Sequence, residues 1–136
     1  MLRDRRGGTM AEAAVAMPAL LMILVFALNA SQAGLASLAA RNAANYAARI
    51  ACVAGMNAKV YAEAAAKVSL EQAGAPGDFT VAAEVIGEGT GSVVSVTVGW
   101  STPTLLAGIC PVFGEGCPAA FSGQARAVWR REGLRW

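Results

Sequence analysis

The chain has 136 residues, 56% of them apolar, with 11 basic and 9 acidic side chains and no histidine. That length holds one small domain beyond an N-terminal segment, not two, and the low charge content fits a membrane-anchored protein better than a soluble one. The basic residues cluster at the two ends (Arg3, Arg5, Arg6; Arg126, Arg130, Arg131, Arg135), with no aromatic-interleaved basic face between them. A nucleic-acid partner is therefore not expected. Without histidine, imidazole acid–base chemistry and the commonest metal ligand are both removed.

Arg5-Arg6-Gly7-Gly8-Thr9-Met10-Ala11-Glu12 opens the stretch that organises the rest. From Ala13 to Ala30 come 18 residues without a formal charge, near the lower limit for a helix that spans a bilayer. Leu20 to Phe26 is its most apolar part. Arginines before it and none just after it predict a cytoplasmic N-terminus and an external remainder. Beyond Ala30, Leu35, Leu38, Tyr46, Ile50 and Val53 recur at helical spacings, with Arg41, Asn45 and Arg49 as a polar line on another side. A helix from Thr9 to about Val53 would be roughly 65–70 Å long. The expected division is a membrane-spanning part over 13–30 and a projecting part over 31–55. Pro18 lies inside it, where packing or lipid favours a kink over a break.

Glu12 is the informative residue. A lone carboxylate at the edge of an apolar helix is neutralised, solvated or paired, and a helix start also favours an acid. If the chain were cut after Gly7, Glu12 would be the fifth residue of the product. The new amino group of Gly8 would then share its headgroup layer and be available to a partner's Glu12. Two other fates stay open: removal of the stretch as a secretory signal, with Ser31-Gln32-Ala33 as a small-x-small site, or retention as a permanent anchor. The helical pattern runs straight through Ala33, which weighs against the signal.

Arg-Arg-Gly, four further residues, then Glu12-Ala13-Ala14-Val15, Pro18 and a leucine-rich run resemble the TadE-like minor pilins of the tight-adherence (Flp) type IV pili. The resemblance covers about 18 residues; the family usually has an aromatic after the glutamate, where this chain has Ala13. It implies a leader over 1–7 removed by a membrane prepilin peptidase, Gly8 as the new N-terminus and Glu12 as the assembly glutamate. It also implies partners: other pilin subunits through the N-terminal helix, and an inner-membrane assembly platform. Taking away three arginines and Asp4 with the leader would leave 8 basic and 8 acidic residues.

Residues 56–136 are expected to form a small external domain. Gly55-Met56-Asn57 breaks the first helix. Ala58 to Ala73 reads as a second, with Tyr61, Ala64, Ala65, Val68 and Leu70 on its apolar side and Lys59, Glu63, Lys67 and Glu71 exposed. Gly74-Ala75-Pro76-Gly77-Asp78 stops it. Phe79 to Ile86, Val94 to Trp100 and Gln124 to Arg130 each alternate apolar and polar residues as strands do. Gly87 to Gly91 makes a hairpin loop between the first two. A three-stranded sheet with one apolar face needs helical cover, so the expected fold is α+β. A strand ending in an aromatic, the segment Pro103-Thr104-Leu105-Leu106 and a last strand of Ala-Arg-Ala-Val type (Ala125 to Val128) resemble the carboxyl half of the same family.

Three cysteines allow at most one bridge within the chain. Cys110 and Cys117 frame a loop, and outside the cytoplasm a bridge between them is the default, worth about 2–3 kcal/mol. Pairing of either with Cys52, or between subunits, stays open; Cys52 otherwise reads as a buried thiol. Six intervening residues do not make a thioredoxin-type pair, and two cysteines without histidine make a poor zinc site. No nucleophile–base pair or phosphate loop is visible, and glycines between two strands are a hairpin and not a phosphate cradle. The sequence therefore predicts neither an enzyme nor a cofactor or metal site.

Overall fold

A computed structural model describes residues 6–87, 91–105, 107 and 118–131. Helix α1 runs over Arg6–Val53, a short 3-10 turn over Gly55–Asn57, and helix α2 over Ala58–Ala73. Strands β1 (Asp78–Ile86), β2 (Val93–Pro103) and β3 (Ala120–Arg130) form one antiparallel sheet in the order β1-β2-β3. The fold is α+β, as expected from the sequence. At 48 residues, α1 is about 72 Å long. It continues unbroken through Pro18.

At Gly55, with φ +62°, the chain enters a left-handed conformation that costs glycine little. It then doubles back, so α2 packs beside α1. Helix α2 ends at Gly74, φ 56°, whose N–H bonds the carbonyl of Glu71, a left-handed helix stop. The turn that follows is held tightly. A Cβ on Gly77 (φ +118°) would lie 2.5 Å from the Ser101 carbonyl oxygen and 2.7 Å from Thr102 Cγ2.

The sheet follows the expected alternation. Val94, Val96 and Val98 of the central strand are fully buried, with Ala83 of β1 and Ala125 and Ala127 of β3 on the same face. Helix α1 covers β2 and β3, and α2 covers β1. Strands β2 and β3 reach further than their apolar alternation indicates, pairing as far as Pro103 with Ala120. A proline is tolerated there because β1 stops at Asp78, opposite Ser101, leaving Pro103 one neighbour only. On the outer face, Arg126 Nε donates to Ser95 Oγ at 2.8 Å, which accounts for a serine only 3% exposed on the polar side.

The helix faces correct the sequence reading. The large apolar residues do not form the buried side of α1: Leu35, Leu38, Tyr46 and Val53 are all about half or more exposed. Ile50 is half-buried. Alanine fills the interface instead, with Ala36, Ala40, Ala43, Ala47, Ala48 and Ala51 at 0% exposure. In α2 the buried line is Ala58, Ala62, Ala66 and Leu70, one residue per turn, while Tyr61, Ala64 and Val68 are exposed. The reason is steric. Two alanine faces let the helix axes and the valine row of β2 approach closely, whereas leucines at those positions would hold the layers apart.

Candidate functional site

Helix α1 divides into two parts with different surroundings. From Met10 to Leu28 every residue is exposed apart from Val25, which is half-buried. This part contains an 18-residue window apolar enough to cross a membrane, none of it buried against the rest of the chain. Met17, Leu20, Leu21, Ile23 and Phe26 are each more than half exposed, which in water would be a large unpartnered apolar surface. From Asn29 onward the same helix packs against α2 and the sheet.

Gly7 and Gly8 lie in the first turn of α1. Glu12 follows one turn after Gly8, exposed on the bare part of the helix. In helical geometry positions i and i+4 share a face at roughly 5–6 Å between side-chain origins, so Gly8 and Glu12 are on one side of the rod. Pro18 sits a turn and a half beyond Glu12 and is also exposed. Four of the residues singled out from the sequence are thus strung along one end of one helix. Cys110 and Cys117 lie outside the described residues, as do Leu106 and most of the loop between β2 and β3. Cys52 is half-buried near the end of α1 rather than fully buried. Among the described residues, no group of three metal-ligating side chains comes together.

Asn29 is the residue that sequence reasoning passed over. It is 3% exposed although it closes an apolar run. Its Oδ1 accepts the backbone N–H of Leu105 at 2.8 Å, across 76 positions of sequence. Thr104 secures the same corner: its N–H bonds the Ala119 carbonyl at 3.0 Å and its Oγ1 donates to the Pro118 carbonyl at 2.9 Å. The Ala107 N–H closes a turn onto the Thr104 carbonyl at 3.1 Å. The signal available was a lone amide in an uncharged helix, which must find a partner when buried.

The far end of the domain is fixed separately. The Arg49 guanidinium lies 5.6 Å from the Trp129 ring centroid, within cation–π range, and the Arg131 N–H bonds the Ser92 carbonyl at 2.8 Å. Two well-separated contacts along α1, Asn29 with Leu105 and Arg49 with Trp129, set β2 antiparallel to the helix. The end of β2 and the start of β3 therefore face the bare segment, while the Gly55–Asn57 turn lies at the opposite pole. Comparison with protein-family models, with curated proteins and with solved structures gave no match.

Proposed function

We propose that the chain is a minor pilin or pseudopilin of a tight-adherence type IV pilus, processed by a prepilin peptidase and acting through helix packing, not catalysis. In this reading it is a single-pass protein of the cytoplasmic membrane, with its N-terminus inside and its α+β domain outside. The observation that carries the proposal is the bare half of α1: an exposed apolar rod bearing one carboxylate, Glu12, one turn after Gly8. A bundle of like helices supplies the same apolar cover as lipid, so a subunit can leave the bilayer without losing burial.

Two further features support it. Apolar side chains stay uncovered outside the bare segment too, with Leu35, Leu38, Tyr46 and Val53 on α1 and Met56, Val60 and Tyr61 at or beyond its end. Such a surface fits a subunit that meets neighbours. Processing needs the Gly7–Gly8 bond presented to a peptidase, and each glycine weakens the helix by about 1 kcal/mol relative to alanine. The first turn is thus easy to unwind.

The alternative, a signal peptide cut after Ala33, would discard Asn29 and its bond to Leu105, and would sever a helix that continues through that point. Mass spectrometry of the N-terminus tests the proposal. A start at Gly8 supports it; a start at Gly34 or an uncut chain overturns it. Glu12→Gln should leave processing and folding in place but impair assembly, read as loss of filaments.

A further inference from the structure

We propose that the external domain sits directly on the outer surface of the bilayer, with the Pro103–Leu105 corner and the start of β3 as its lipid-contacting base. This inference rests on the membrane-anchor part of the reading above and is independent of leader processing. It begins with a length. The uncharged bare helix between Glu12 and Asn29 has 16 residues, about 24 Å of helix against about 30 Å of hydrocarbon. That shortfall leaves no helix to act as a stalk. Asn29 lies at the outer edge of the hydrocarbon, and mismatch pulls whatever is attached to it toward the lipid.

What is attached is the Leu105 backbone, bonded to Asn29 Oδ1 at 2.8 Å. The chemistry of that end suits a headgroup boundary. Pro103, Leu105, Ala107, Pro118, Ala119 and Ala120 are all exposed, and none carries a charge. Leu105 leaves 51% of its surface uncovered. The backbone groups that would otherwise be costly near lipid are in part satisfied within the corner, by Asn29 on Leu105 and by Thr104 on Pro118 and Ala119. On the sheet, the carboxylate of Asp78 lies above this level, since Asp78 pairs with Ser101, two residues short of Pro103.

The test is photo-crosslinking of the full chain in vesicles of phosphatidylethanolamine and phosphatidylglycerol. Benzoylphenylalanine is placed singly at Leu105, at Leu24 and at Met56. All three side chains are exposed, so the substitutions leave the fold intact, and the Leu105 N–H that Asn29 uses belongs to the backbone. Lipid adducts at both Leu105 and Leu24, with none at Met56 on the far turn, are the expected result. An adduct at Leu24 without one at Leu105 overturns the seated domain and leaves the anchor standing. Adducts at neither position overturn both, and adducts at Met56 equal to those at Leu105 overturn the assignment of the base.

Discussion

Replacing Ala47 by leucine puts the packing of α1 to a direct test. Ala47 is fully buried at the centre of the alanine face, flanked by Ala43, Ala44, Ala48 and Ala51, none more than 1% exposed. Leucine would add three carbons within the buried cluster that also holds Val94, Val96 and Val98, which have no exposed surface. A close-packed interior has no void to receive them. Overpacking of this kind costs about 1–3 kcal/mol, and at about 4–8 °C per kcal/mol for a domain of this size the midpoint should fall by about 4–24 °C. The assay is thermal unfolding in detergent followed by fluorescence of Trp100 and Trp129, because the bare part of α1 stays helical in a micelle and would mask the transition in far-ultraviolet dichroism. Leu38→Ala is the matched control: Leu38 is 56% exposed, so its loss should change stability by no more than about 0.5 kcal/mol. If Leu38→Ala destabilised the domain more than Ala47→Leu, the assignment of inner and outer faces would be refuted.

Gly77→Ala should cost about 1–3 kcal/mol, since the residue has φ +118° and its Cβ would strike the Ser101 carbonyl; a denaturant midpoint equal to wild type would contradict the tight turn. Asn29→Ala removes the acceptor for the Leu105 N–H and should lower stability by about 1–3 kcal/mol, with faster hydrogen exchange at the Leu105 amide as the specific readout. Unchanged exchange there would show that the bond is not made in solution. Gly7→Ala should slow appearance of the Gly8 terminus in a pulse-chase experiment. A wild-type rate would count against cleavage at that bond.

The two helices and three strands were legible because each carries its own period, and α2 and β1 are each followed at once by a glycine, Gly74 and Gly87, in a left-handed conformation. Helix α2 starts and stops at Ala58 and Ala73 as its sequence indicates, with Gly74 as the terminator. Val94, Val96 and Val98 read correctly as an inward row because a strand has only two faces and one of them was polar. The helix faces did not read correctly. Leucine and tyrosine were grouped into an apolar side by their spacing, but in a chain this rich in alanine every side of a helix contains apolar residues. Spacing of the large ones then says nothing about which side is covered.

Sequence alone therefore determined the elements, their order and the long apolar rod with its single acid, since these follow from local periodicity and charge. The buried side of α1, the pairing of β2 and β3 out to Pro103 with Ala120, and the bond between Asn29 and Leu105 were decided only by tertiary structure. Each depends on how closely two layers approach, a distance set jointly by residues far apart in the chain. Alanine's small radius permits that approach, and no single segment records it.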